Sequence, residues 1–520
     1  LSVHSSVLVP LAVAVATLAG VSLARFTPIP APVYYVLAGL AVSYTPGIHV
    51  TRLPPHVVFY FFLPPLLYHA AFFTSPRETR AQALPIVTLA VGLVIVTMVA
   101  VGGVVAAAIG VLGTGAGFVL GAVLGPTDPV AATAIMSRLD VPERLQALIE
   151  GESLANDGLG LVAFSIAVTA AAEGSFSISH GLLRFIEVSG GGIAFGLLVG
   201  VVVERARRLA DDVEIEILIS LLTPYAAYLP AERMHVSGVL ATVACGVYLG
   251  WHAGGIFEPR VRLQSTAFWD VLNFLLTAVL FVLLGMQFPS VVNALGSYST
   301  WQLVWWALLT AVVVLGVRML WMFTVPYLAS ALTRSRSWRE VSPRRERIVL
   351  GWSGMRGALS LAAALSISGA VPHRELVLYL TFTTILAGLL VQGTSLPLLL
   401  HSLGFRRAEE MTRSEAQVRL RLVRSALERL DDLRDEDWVT PEYLDSVRQL
   451  YEQRADRLSV RAHPDREDGA TPGDYTRLRR EAIAAERKTL AELGRRGDLT
   501  AAAVRQIEHE LDLEEVRLLA

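Results

Sequence analysis

Three carboxylates, Asp128, Glu152 and Asp157, sit inside long apolar runs, within Gly125-Pro126-Thr127-Asp128-Pro129 and Glu152-Ser153-Leu154-Ala155-Asn156-Asp157. An ionised side chain at the centre of a membrane helix costs about 2.5–3.5 kcal/mol on insertion scales, so apolar helices do not keep such groups for packing. The expectation is a cation or proton pathway through a bilayer. In a helix over 146–172, Ser153 and Asp157 are four residues apart and share one face, while Glu152 and Asn156 share the next. The first face offers a hydroxyl and a carboxylate to an ion, and the second a supporting hydrogen-bond network. Hard monovalent cations take such oxygen ligands.

The preceding segment supplies the rest of the site. Pro126 and Pro129 have no backbone N–H, so each breaks a helix bond. Carbonyls around Ala122 to Gly125 are expected to be freed as cation ligands, with Thr127 and Asp128 between the prolines. Non-helical backbone at membrane depth is tolerated only inside protein or beside water. A second interruption falls at Gly351-Trp352-Ser353-Gly354-Met355-Arg356-Gly357. Arg356 needs an anionic partner there, expected to be Glu152 or Asp128. The same stretch imitates the nucleophile turn of an intramembrane serine protease. That chemistry needs a histidine base within reach, and neither the adjacent Arg356 nor the number of apolar segments suits it. A passive cation channel is the other rival; titratable carboxylates beside two broken helices favour alternating access.

The elements that must carry these residues are hydrophobic helices. The 520 residues are 53% hydrophobic and only 17% charged, with mean hydropathy +0.52, where a soluble chain would be nearer a quarter charged. Apolar segments long enough to span fall near 6–24, 31–46, 55–73, 84–110, 113–137, 146–172, 181–203, 212–229, 235–251, 266–288, 301–329, 346–369 and 374–401. That predicts an all-α polytopic protein with about thirteen spans. The first run has no basic stretch before it and no small-residue cleavage signal, so it reads as a membrane helix rather than a signal peptide. Every second connection carries the arginines, sixteen against four in the alternate ones, which places the N-terminus outside and the C-terminal tail in the cytosol. If segments 1–6 and 8–13 are inverted repeats, both broken segments are fifth in their repeat, the position that points to a transporter's binding site.

The chain divides into a transmembrane domain at 1–404 and a polar, Arg/Glu-rich tail at 405–520. Val423, Leu427 and Leu430 in the tail follow helical spacing, and Thr440-Pro441-Glu442 opens a further helix. Residues 463–474 read as a linker, with two short helices after it, the last from about Thr500. The tail has no nucleotide loop, metal cluster or paired catalytic residues and reads as regulatory. A net charge of −2 argues against a nucleic-acid partner. Cys245 stands alone in an apolar stretch and reads as a small buried residue. No cofactor and no enzyme activity are expected.

Thr127-Asp128-Pro129, then Glu152-Ser153 with Asn156-Asp157, then Arg356-Gly357-Ala358 with Ser360-Leu361-Ala362 together resemble the electroneutral NhaP/NHE-type sodium/proton exchangers, among the monovalent cation/proton antiporters. The likeness covers residues 1–404. It implies that Asp157 is the carboxylate shared by cation and proton, with Thr127, Asp128 and Ser153 completing the Na+ shell. Asn156 would orient the site, and a Glu152–Arg356 pair would brace it. Arg318 would be a second, structural arginine. The resemblance further implies a homodimer in the plasma (inner) membrane that moves a transport domain, exchanging Na+ or Li+ for H+ in pH and sodium homeostasis. A K+/H+ antiporter of the same fold is the nearest alternative. Asn156, where electrogenic relatives carry a second Asp, argues for one-for-one exchange. One position departs from the pattern: His69 stands where microbial relatives often place a glutamate. An imidazole is a poor sodium ligand, but it titrates near neutral pH and is a candidate modulator.

Overall fold

The computed structural model describes residues 3–24, 30–45, 57–74, 76–136, 139, 141–173, 178–209, 212–252, 259–333, 343–367, 369–405, 409–436, 439–462, 482–490, 507, 511 and 514. The described residues are helical or in turns, with no strand. In chain order the first unit, Leu1–Arg406, holds α1 (Val3–Ala24), α2 (Ala31–Ser43), α3 (Val58–Phe72), α4 (Ala83–Ile109), α5 (Gly113–Leu124), α6 (Val130–Met136), α7 (Glu143–Glu173) and α8 (Ile178–Arg207). It continues with α9 (Val213–Arg233), α10 (Gly238–His252), α11 (Pro259–Asn293), α12 (Thr300–Thr333), α13 (Arg344–Trp352), α14 (Ala358–Leu365) and α15 (Arg374–Ser402). Seven of these, α4, α7, α8, α9, α11, α12 and α15, are long and apolar enough to cross a membrane. The apolar parts of α1, α2, α3, α5 and α10 are shorter.

Two segments are interrupted. The run expected over 113–137 breaks between α5 and α6, where residues 125–129 leave the helix around Pro126 and Pro129. The run expected over 346–369 breaks between α13 and α14 at 353–357, where Gly357 is extended with φ −135° and ψ −150°. The helix interior resumes once neither proline nor glycine interrupts it.

Packing sorts the helices into two bundles. In the first, α2 lies along α11, α1 lies on α2, and α10 packs against α3, α8 and α9. A Cβ on Gly39 of α2 would collide with the Val282 carbonyl of α11, and one on Gly285 would collide with the Val36 carbonyl of α2. These two glycines let the backbones meet directly, the usual device for joining helices in lipid. In the second bundle, α5 packs against α4, α7 and α15, α12 packs against α13 and α15, and α6 reaches the last part of α15. Contacts between the bundles are sparser, chiefly from α7 to α8 and α10 and from α11 to α14 and α15.

The second unit, Arg407–Ala520, contains α16 (Glu409–Asp432) and α17 (Pro441–Ala462). The pair closes over Leu420, Val423 and Leu458, with Leu427, Tyr451 and Ala455 beside them. Pro441 opens α17 at its first position, where a missing N–H is harmless. The linker read at 463–474 lies outside the described residues, as does most of the last helix; Ile483, Leu490 and Leu511 form a small apolar cluster.

Candidate functional site

The two interruptions meet. The Asp128 N–H donates to the Met355 carbonyl at 2.8 Å, so one unwound stretch satisfies the other. A Cβ on Gly357 would strike the Asp128 carboxylate, and one on Gly354 would strike the Arg318 guanidinium. Both glycines are therefore needed for close approach. Asp128 Oδ1 also accepts the Val130 N–H at 2.9 Å, restarting the chain as α6.

Thr127 is held at every polar atom. Its N–H donates to Asn156 Oδ1 at 3.3 Å, and its hydroxyl donates to Glu152 Oε1 at 3.3 Å. The same hydroxyl accepts from Asn156 Nδ2 at 2.9 Å, and its carbonyl accepts from the Ser153 hydroxyl at 2.6 Å. One turn of α7 thus clamps the broken segment through Glu152, Ser153 and Asn156, all buried. No side-chain hydrogen bond among the described residues reaches the Asp157 carboxylate, which lines a cavity.

The arginines correct two expectations. Glu152 does not pair with Arg356. It pairs with Arg318 of α12 in a two-pronged contact, 2.5 Å to Oε1 and 2.9 Å to Oε2, with both side chains 1% exposed. Arg318 also donates from Nε and Nη2 to the Leu350 carbonyl at the end of α13. Arg356 instead donates from Nε to the Leu124 carbonyl at 2.9 Å and from Nη1 to the Gly354 carbonyl, while its Nη2 has no partner. The Leu124 carbonyl, expected as a cation ligand, is therefore taken by a guanidinium. A helix-end carbonyl carries partial negative charge, which the guanidinium satisfies by donating to it. Gln392 closes the remaining end by donating to the Trp352 carbonyl at 3.0 Å. Ser353 is 1% exposed and donates to the Leu350 carbonyl, with no histidine bonded to it.

A cavity of about 270 Å³ lies between the bundles. Thr127, Asp128, Ser153, Asp157 and Gly357 line it from the second bundle, and His69, Asn273 and Thr277 line it from α3 and α11. Glu152, Asn156, Arg318 and Arg356 are not among its lining residues; they brace it from behind. Among the described residues no three His, Cys, Asp or Glu side chains converge on one point, so the donor set is carboxylates and hydroxyls. The sequence reading missed Glu150, Asn273 and Thr277 in the lining, and Asp270, whose Oδ1 lies 3.8 Å from His69 Nε2. The signal was present in α11: Asp270, Asn273 and Thr277 are polar at helical spacing in an apolar segment.

The chain is similar to known proteins over most of its length. An uncharacterized Na(+)/H(+) exchanger of Mycobacterium tuberculosis is 36% identical over 508 residues, 94% of this chain and 92% of the relative. The sodium, potassium, lithium and rubidium/H(+) antiporter of Bacillus subtilis is 30% identical over 94% of this chain and 75% of its own length. The structure of the sodium proton antiporter MjNhaP1 from Methanocaldococcus jannaschii overlays with TM-score 0.62 at 21% identity, covering 77% of this chain and 99% of that one. That likeness speaks for the fold. The family profile described as sodium/hydrogen exchanger, transmembrane, matches residues 13–402, and the chain belongs to that family.

Proposed function

We propose that the protein exchanges one monovalent cation, Na+ or Li+, for one proton at Asp157, and that Asp128, Ser153 and Thr127 complete the site. The observation that carries this reading is a charge count. Leaving aside Glu150, which lines the cavity but is exposed, Asp128, Glu152 and Asp157 stand against Arg318 and Arg356, three negative side chains to two positive ones. Glu152 and Arg318 cancel in direct contact. One positive charge is then missing, and either a proton or one monovalent cation restores neutrality. Two cargoes that fill the same vacancy compete, and a bundle that moves only when neutral exchanges them one for one. The exchanger and antiporter names of the relatives support antiport of this class.

The same reading takes thirteen membrane passages in two inverted repeats, a homodimer in the plasma membrane, an external N-terminus and a cytosolic, regulatory tail. Arginine placement and the paired interruptions support it. The test uses the full chain in proteoliposomes with a fluorescent pH reporter. Na+ and Li+ should drive proton movement, and a potassium diffusion potential should leave the rate unchanged. Voltage dependence would overturn one-for-one exchange. A rate with K+ equal to or above that with Na+ would move the assignment toward K+/H+ antiport, potassium being one of the cations in the Bacillus subtilis relative's name.

A further inference from the structure

We propose that Asp270 is an outer capture site for the hydrated monovalent cation, set at the mouth of the Asp157 cavity, and that His69 competes with the cargo for it. The proposal rests on the antiport reading for its cargo, but not for its geometry. On α11, Asp270, Asn273 and Thr277 are spaced by three and four residues and so share one face. Exposure falls along that face: Asp270 is exposed, Asn273 and Thr277 are half-buried, and Phe281 in the next turn is buried. Asn273, Thr277 and Phe281 line the cavity. At 1.5 Å per residue, a polar stair of about 10 Å descends from the surface of the protein to the proposed ion site. Nothing else in α11 between Trp269 and Phe281 is polar.

His69 faces this stair from α3. Its Nε2 is 3.8 Å from Asp270 Oδ1 and makes no hydrogen bond, and its ring packs against Phe73 and Trp269. A neutral imidazole leaves the Asp270 carboxylate open to a cation. A protonated one becomes a donor of full charge a short movement away and neutralises it. The other titratable groups around His69 do not offer a better counter-ion at that spot. Asp128, Glu150 and Asp157 line the shared cavity, Arg207 of α8 donates to the neighbouring Tyr68 at 3.1 Å, and α10 presents Cys245 and Tyr248 around Tyr68 and Phe72.

Everted membrane vesicles from cells without antiporters of their own present the cytosolic face outward and allow a Na+ titration at two pH values. At pH about 8.5, Asp270→Asn should raise the apparent KM for Na+ about three-fold with the maximal rate unchanged, and added choline chloride should shrink the difference by screening. At pH about 5 the difference should vanish in the wild-type background and persist with His69→Gln, since only a charged imidazole can neutralise the Asp270 carboxylate beside it. Asp270→Glu should restore the wild-type KM. An unchanged KM in Asp270→Asn at pH 8.5, or a fall in maximal rate alone, overturns the proposal. A second arm does not depend on exchange. In purified Asp157→Asn protein, sodium NMR line broadening should persist at high pH and be lost in Asp157→Asn/Asp270→Asn. Equal broadening in the two overturns the capture site even if the protein is no antiporter, whereas loss of exchange with broadening retained indicts the antiport reading.

Discussion

The two bundles keep their charges in different places. In the first, the buried ions stand at helix ends: Arg207 is the last residue of α8, and Glu216 lies in the first turn of α9. Its helices run without a break, and α2 and α11 meet glycine against carbonyl. The second also buries Glu346 and Arg347 at the start of α13, but it alone adds Glu152, Arg318 and Arg356 within the helices or at their interruptions, and both broken helices belong to it. Burying charge far from water is destabilising unless every partner is supplied, and here carbonyl ends and carboxylates supply most of them. The difference teaches where function sits. A frame can be held by shape alone, whereas a site that binds and releases a charge needs fixed charges around it.

The sharpest way to break this contrast is Asp157→Asn. It keeps the shape and removes the carboxylate proposed to bind proton and cation, so Na+-driven pH change in proteoliposomes should fall to background while the thermal unfolding midpoint stays near wild type. Substantial exchange would remove the second bundle's claim to the chemistry. Next come the braces. Glu152→Gln and Arg318→Gln each leave one buried charge alone and should each cost about 3–5 kcal/mol in thermal or denaturant unfolding. The double variant Glu152→Gln/Arg318→Gln should recover much of that, and Glu152→Gln/Arg356→Gln should not. Equal recovery in both doubles would contradict the pairing seen here.

Smaller effects sharpen the comparison. Gly39→Val forces α2 off α11 and should cost about 1–3 kcal/mol as overpacking. Because it touches only the first bundle, the KM for Na+ of the folded protein should not move. Gly357→Ala pushes on the Asp128 carboxylate and should do the reverse, raising KM several-fold, about 1 kcal/mol of binding, with little change in melting. The smallest effect comes with acidity alone. Protons and Na+ contending for one carboxylate should raise the apparent KM at low pH and leave the maximal rate nearly constant. A maximal rate that collapses instead would mean that the proton acts elsewhere.

Charge inside apolar sequence makes Asp128, Glu152 and Asp157 legible, because few other reasons exist for a carboxylate there. Helical spacing places Ser153 and Asn156 beside them, and the prolines announce the break. The pairing of Glu152 is not legible. Arg318 and Arg356 lie 166 and 204 positions away, both in apolar segments, and periodicity says nothing about which one crosses to it. Arg356 looks the nearer partner because its glycines match the first interruption; those glycines instead admit Arg318 and Asp128. Asp270 is easily overlooked because it stands near the start of its segment, where a charge reads as a helix boundary. Freed carbonyls are foreseeable as a class and not in their use, since sequence does not tell whether a cargo ion or a resident guanidinium will claim them.

The glycine-to-carbonyl contact between α2 and α11 has a mechanical meaning. Where Cα meets carbonyl oxygen there is no side chain left to yield, so the two helices can neither slide nor roll without parting. If exchange proceeds as proposed, α11 serves as a stator: its Asp270–Asn273–Thr277 face would stay put while the bundle carrying Asp157 changes its register along it. On that reading an ion leaving the carboxylate would always meet the same fixed row of oxygens, and the rail, rather than the moving site, would set the direction in which it departs.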